Sequence, residues 1–176
     1  VKYKDKVVAS GSAAATGERA NLGLYVNDPV KWGIGQGNLY DVEFELRAGA
    51  TVLDKVTSYY GYRAINIENG RFHLNGRPTY LKMVLDQGYW MESTITPPTD
   101  AAIQYDIKMT MDMGFNGARK HQKLEDPRFL YWADKMGFLV SSEMANAYLY
   151  DEDYAAKFTR EWIEAVERDV NHPSIV

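Results

Sequence analysis

The sequence predicts a chain of mixed class, an all-β region followed by an α/β region built from successive strand and helix units. Three observations carry this. Up to about Arg63, apolar and polar residues alternate with period two, as in antiparallel strands with one wet face. After Pro78, short apolar runs alternate with longer segments whose apolar residues recur at spacing three or four, which is the pattern of β/α units. Met113-Gly114-Phe115 and Met136-Gly137-Phe138 then repeat one helix-to-strand turn 23 residues apart, and equivalent turns at one β/α period indicate neighbouring units of a parallel sheet.

In chain order, KDKVVAS and LGLYV (Leu22 to Val26) read as early strands. Val42, Phe44 and Leu46 alternate with Asp41, Glu43 and Glu45 in a strand that turns at Gly49, and ATVLDKVTSYYGYR is its hairpin partner. Short antiparallel strands at this spacing suggest an immunoglobulin-like β-sandwich; such a sandwich needs about 100 residues, so residues 1–63 are expected to form part of one. Residues 64–78 hold Asn69-Gly70 and Asn75-Gly76 on either side of the strand RFHL and form a tight β connector, since Asn-Gly tolerates the positive φ of hairpin turns. Residues 79–176 make the second domain. TYLKMVL (Thr79 to Leu85) is a first strand of the kind buried on both faces. Pro97, Pro98 and Asp100 announce a helix with Ile103, Ile107 and Met111 on one face, stopped by Gly114. FNGARKH supplies the second strand. Asp126 as N-cap with Pro127 opens a helix whose Phe129, Leu130, Ala133 and Met136 face inward and which ends at Gly137. FLV is the third strand, a third helix runs from about Tyr154 to Val170 with Phe158, Trp162, Val166 and Val170 on one stripe, and PSIV begins a fourth strand.

A hydrophobic content of 45% supports a real core, and a net charge of -4 without a dense basic block argues against nucleic acid or an anionic membrane as partner. The absence of cysteine removes disulfides, cysteine zinc sites and thiol nucleophiles and leaves the compartment open. No run approaches the roughly 20 apolar residues of a membrane span. The 13 tyrosines and 4 tryptophans fit core packing and also stacking on the apolar faces of sugar rings.

The chemistry-bearing residues fall at strand ends: Asp86 and Gln87 after the first strand, Arg119, Lys120 and His121 after the second, Glu143 and Asn146 after the third. In a barrel these ends share one rim and their side chains converge; local pattern also admits a doubly wound sheet, although no glycine-rich phosphate fingerprint follows the first strand. Arg119 and Glu143 directly follow short buried strands and are the leading site candidates. Lys120 reads as a solvated loop residue. His121 is balanced between a structural and a functional role, and Tyr89 and Trp90 between loop anchoring and a sugar-stacking platform. His73 and His172 read as structural. The histidines lack helix-face zinc spacing, and nothing requires a metal at Asp86 and Glu143, so no metal or cofactor is predicted.

The stretch GNLYDVEFELRAGATVLDKVTSYYGYRAINIENGRFHLNGRPTYLKMV resembles the join between sandwich and barrel domains of glycoside hydrolase family 2, which contains β-galactosidases, β-glucuronidases and β-mannosidases. DMGFNGARKHQKLEDPRFLYWADKMGFLVSSE and RDVNHPSIV resemble that family's second and third barrel strands and its approach to the fourth, so the resemblance covers about residues 27–176. It implies a partial (β/α)₈ TIM barrel, its first three units and the start of a fourth strand, belonging to an enzyme that hydrolyses β-glycosides with retention through two glutamates. Both are expected beyond Val176: the acid/base residue shortly after the fourth strand, the nucleophile on a later one. The resemblance gives Arg119 the role of pairing with the nucleophile carboxylate, and makes Glu143 the acidic residue after the third strand. This chain has Met83, Leu85 and Gln87 where the family has Gly, Asn and His, and Arg119-Lys120-His121-Gln122-Lys123 where it has Arg, Ser, His, Tyr, Pro; Asp86 is expected to take over hydroxyl binding. The substrate-binding or supporting set is therefore Asp86, Gln87, Trp90, Arg119, His121, Glu143 and Asn146, with a carbohydrate substrate and no cofactor. Residues 79–176 fall short of the ~250 residues of a closed barrel, so the chain is expected to be inactive by itself and to self-associate through an exposed strand edge. The alternative is a non-catalytic carbohydrate-binding protein using Tyr89 and Trp90.

Overall fold

A computed structural model describes residues 1–176 as three sheets and three helices. The first sheet is antiparallel in the order β2-β1-β3-β4, with β1 Lys2–Tyr3, β2 Lys6–Val7, β3 Tyr40–Ala48 and β4 Thr51–Tyr60. β3 and β4 form the predicted hairpin, in register from Tyr40 opposite Tyr60 to Ala48 opposite Thr51, with one irregularity between Leu46 and Arg47. The alternation puts Glu43, Glu45 and Lys55 on one face, where Lys55 pairs with Glu43 at 2.9 Å. Phe44 and Val56, directly opposite each other, lie on the other face and are 59% and 55% exposed, so no second layer covers it.

Two early strands come out differently from the sequence pattern. Of KDKVVAS only Lys6–Val7 is extended, paired back on β1 through a tight turn with positive φ at Lys4 and Asp5. Leu22 to Val26 form no strand. Alternation alone cannot make a strand without a neighbour to satisfy its backbone, and this segment holds Gly23 and runs into the positive-φ Asp28 before Pro29.

The connector is a three-stranded antiparallel meander of β5 Ile65–Glu68, β6 Arg71–Leu74 and β7 Arg77–Pro78. Its two turns are the Asn-Gly pairs, with φ of 50° and 71° at Asn69-Gly70 and 54° and 76° at Asn75-Gly76, the double positive φ of type I′ turns.

The third sheet is parallel and follows chain order: β8 Met83–Asp86, β9 Gly117–Lys120 and β10 Leu139–Ser141, with Ile175 bridging in parallel to Val140 at the open side of β10. α1 Asp100–Asp112 joins β8 to β9, α2 Pro127–Met136 joins β9 to β10, and α3 Glu152–Asp169 follows. The α1 N-cap is Thr99, whose hydroxyl accepts the Ala102 N–H; Asp126 caps α2 by accepting the Arg128 N–H, and Gly137 closes α2 in the left-handed region. Ile103 and Ile107 of α1 and Phe129, Leu130 and Ala133 of α2 pack with Ala118, Phe138 and Val140 into one core on one face of this sheet. β8 is shorter than Thr79 to Leu85 and is not buried on both sides, since Leu85 is 56% exposed. The stripe expected on α3 is only partly covered: Ala165 and Asp169 are its buried residues, while Val166 and Val170 remain exposed.

The β-rich half meets the α/β half at Asp134 of α2, a wholly buried residue. Its carboxylate accepts from the Tyr59 hydroxyl of β4 (2.7 Å) and the Ser174 N–H (3.0 Å) and lies 2.6 Å from His172 Nδ1. The indole N–H of the buried Trp32 donates to the Asp134 carbonyl at 2.7 Å. Arg63 reaches the carbonyls of Pro173 and Ile175. Gly37 passes so close to α2 that a Cβ there would fall 1.8 Å from the Lys135 carbonyl oxygen. His172 is thus structural, in keeping with the sequence reading.

Candidate functional site

Successive side chains on a strand point to opposite faces, and this sorts the strand-end residues. The register sets Leu85 beside Arg119 and Arg119 beside Ser141, so Leu85, Arg119, Ser141 and the residues two further on, Gln87, His121 and Glu143, are turned away from the helix layer. Val84 and Ala118 pack into the helical core, and Asp86 and Lys120, two positions beyond them, follow them to that side.

On the first face the Arg119 Nε donates to Glu143 Oε1, and the Gln122 N–H donates to Glu143 Oε2 at 3.2 Å. Partial burial works to raise the Glu143 carboxyl, but the Gln122 N–H and the Arg119 guanidinium outweigh it and hold the group below the ordinary carboxylate range. Gln87 Nε2 and His121 Nδ1 meet at 3.0 Å across the ends of β8 and β9. The arrangement is a cationic and amide-bearing patch with one carboxylate, already ionised and paired. It can bind hydroxyls or orient an added carboxylate; a two-carboxylate displacement needs a second acidic group about 5 Å from its partner.

Asp86 is turned under the sheet instead. Its carboxylate pairs with the ammonium of Lys120, whose Nζ also lies 2.9 Å from Glu125 Oε2 and 3.6 Å from the centroid of the Phe129 ring. Lys120 is fully buried, so its reading as a solvated loop residue is overturned. Counting two residues on from the core-facing Ala118 would have placed it inward, and a lysine is buried only when paired. Glu125, also buried, and Lys123 are site-region residues that sequence reasoning passed over, because they lie in a loop where no periodicity marks facing direction. Lys123 Nζ is 3.1 Å from Glu125 Oε1.

Asn146 sits apart from the pair: its backbone N–H donates to Gln122 Oε1 at 3.0 Å and the residue is exposed. Trp90 lies in the β8–α1 loop, bridged through its backbone to Thr94; its indole N–H is buried without a protein partner, while the neighbouring Tyr89 is 72% exposed. His73 approaches Glu68 at 3.6 Å within the connector, away from these residues.

Comparison with known proteins agrees with this architecture. The family described as Glycosyl hydrolases family 2 matches residues 1–63, which begin before the stretch that carries the motif resemblance. A putative β-glucuronidase of Formosa agariphila is 29% identical over 97% of this chain and 17% of its own length, and a β-galactosidase of Bacteroides ovatus is 30% identical over 86% of this chain and 19% of its own. A glycosyl hydrolase family 2 member from Bacteroides cellulosilyticus superposes with a TM-score of 0.79 at 27% identity, covering 99% of this chain and 24% of that one. The chain therefore spans about a fifth of the length of these two curated relatives.

Proposed function

We propose, on the premise that the chain belongs to glycosyl hydrolase family 2, that it is the sandwich-to-barrel portion of a retaining β-glycosidase acting on a carbohydrate substrate. In this reading residues 1–63 are part of an immunoglobulin-like sandwich, residues 64–78 the connector, and residues 79–176 the opening β/α units of a (β/α)₈ barrel. The observation that carries it is the sorting of side chains: Arg119, Glu143, Gln87 and His121 share the face opposite the α1 and α2 layer, which in a barrel is the interior, and they stand at the strand ends where barrel sites are built.

The chemistry is a double displacement. One glutamate protonates the leaving oxygen as the other attacks the anomeric carbon; water then releases the sugar with the first residue acting as base. Neither glutamate is assigned within this chain. Arg119 supplies the guanidinium that keeps the nucleophile ionised, Glu143 fixes the orientation of Arg119, and Gln87 and His121 offer hydrogen bonds to sugar hydroxyls. Asp86 contributes through Lys120, and Trp90 and Tyr89 form the stacking edge. The 176-residue polypeptide is inactive in this reading, and its uncovered β3–β4 face favours self-association.

The test compares the full-length protein with the 176-residue chain on aryl β-glucuronides and β-galactosides. Full-length activity that falls about 100-fold in kcat on Arg119→Lys, with KM little changed, is the expected result. Hydrolysis by the 176-residue chain alone would overturn the inactivity, and sugar binding without any hydrolysis by the full-length protein would replace the enzyme with a binding protein.

A further inference from the structure

The cluster beneath the site does more than neutralise a buried lysine. Asp86, Lys120, Glu125 and Lys123 form a line of alternating charge from the end of β8 into the β8–α1 loop. At its far end the Lys123 ammonium donates to the Gly88 carbonyl at 2.9 Å and to the Ile95 carbonyl at 2.6 Å. Those carbonyls bracket the segment carrying Tyr89 and Trp90, which is itself closed by the backbone pairing of Trp90 with Thr94. One cation therefore ties both ends of a small loop, and Glu125 holds that cation in place.

A second observation points the same way. Gly88 has φ +66°, and a Cβ there would lie 2.3 Å from Lys123 Nζ and 3.0 Å from Glu125 Oε2, so glycine leaves the space the ammonium occupies. Lys123 is only 13% exposed and is spent entirely on these contacts. A cation offered to substrate would leave its donors open; this one closes a loop.

We infer that Lys123, held by Glu125, is a positioning residue that fixes the Tyr89-Trp90 loop, which leaves the end of β8 directly after Gln87, and so sets sugar affinity without taking part in bond cleavage. The inference rests on the reading of the chain as part of a β-glycosidase, and it assigns to the β8–α1 loop a clasp that reaches it from the β9–α2 loop. Substrate binding depends on it because an aromatic platform confers affinity only when its geometry is fixed in advance.

The experiment uses the full-length protein and two variants that disturb the clasp in different ways. Lys123→Met removes the ammonium while keeping the length of the side chain; Gly88→Ala keeps every charge and displaces the ammonium. Limited chymotrypsin digestion reads the loop at Tyr89 and Trp90, with the exposed Tyr148 and Tyr150 as an internal standard. Both variants are expected to be cut about tenfold faster at Tyr89 and Trp90 relative to Tyr148 and Tyr150, and to show KM for an aryl β-glycoside raised about tenfold with kcat within about twofold. Unchanged relative cutting in both variants refutes the clasp. Faster cutting with unchanged KM refutes the link to affinity, and a fall in kcat matching the whole loss of kcat/KM refutes a pure positioning role. Should the wild-type protein hydrolyse no aryl β-glycoside, the glycosidase reading fails by itself; the cutting ratio then decides the clasp, and tryptophan quenching by glucuronate and galactose takes the place of KM.

Discussion

Replacing Asp134 by alanine is expected to unfasten the joint between the β-rich and α/β halves. The carboxylate is wholly buried and satisfies the Tyr59 hydroxyl at 2.7 Å, the Ser174 N–H at 3.0 Å and the His172 Nδ1 at 2.6 Å. Burial, and then the neighbouring Asp134 charge, push the Tyr59 phenol up, so it stays a donor across the working pH range. Hydrogen bonds to a charged group contribute about 1.5–3 kcal/mol each, and orphaned buried donors cost about 1–3 kcal/mol each. These do not add in full within one network, so Asp134→Ala is expected to cost about 3–5 kcal/mol. Tyr59→Phe removes one donor and leaves the carboxylate two partners, for about 1 kcal/mol. The assay is urea denaturation of the 176-residue chain at concentrations where the midpoint is independent of dilution. Tryptophan fluorescence serves as the probe, in a background where Trp90, Trp132 and Trp162 are replaced by phenylalanine so that the emission is that of Trp32, whose indole is bonded to the Asp134 carbonyl. A loss under about 1 kcal/mol for the alanine variant would mean that water substitutes for the carboxylate, and the reasoning from burial would be wrong.

Three further outcomes follow from the same geometry. Gly37→Ala forces a Cβ to 1.8 Å from the Lys135 carbonyl oxygen, where the obstacle is backbone; a loss of about 3 kcal/mol is expected, against almost none for Gly23→Ala, which meets nothing within 4 Å, and equal midpoints for the two would contradict it. Asn75 and Asn69 both sit at positive φ, but only the Asn75 amide also accepts the Ala64 N–H at 3.0 Å and donates to the Trp32 carbonyl at 2.9 Å, so Asn75→Ala should destabilise by about 2 kcal/mol more than Asn69→Ala in the same denaturation series. Because the folded state holds Glu143 below the ordinary carboxylate value, its contribution is complete above about pH 4.3 and disappears as pH falls through the lower folded value. The melting-temperature gap between wild type and Glu143→Gln should then be constant from about pH 7 to 5 and close below about pH 4; a gap that persists into acid would show that the pair is not what Glu143 contributes.

The legible parts of the fold were those written into local chemistry. Asn-Gly pairs, the Asp126-Pro127 start and the glycine stops at Gly114 and Gly137 each fix a backbone angle within two or three residues, and each appears where the pattern puts it. Leu22 to Val26 show the limit: strand alternation is a statement about two faces, while a strand exists only if a neighbour takes its hydrogen bonds, and that neighbour is a tertiary fact. The α3 stripe is a similar case, since periodicity names the apolar side of a helix without saying how much of it is covered.

The placing of the candidate residues at strand ends was legible, and the direction in which each side chain points was not. Reading polar residues at strand ends found Arg119, His121, Glu143, Gln87 and Asp86 together, but treated them as one rim. The backbone gives adjacent residues opposite faces, so Asp86 and Gln87 part company, as do Arg119 and Lys120. Their partners record the split: Arg119 goes to Glu143 and Gln87 to His121, while Asp86 goes to Lys120 and through it to Glu125. The two sets differ in chemical freedom. A charge on the exposed face keeps enough water to exchange its partner for a ligand at small cost, whereas the Lys120 ammonium, enclosed by carboxylates and the Phe129 ring, would have to be desolvated again by anything that replaced them. On the proposed reading, a sugar or an incoming carboxylate is therefore expected at the first set, while the second set serves to hold the neighbouring loop still.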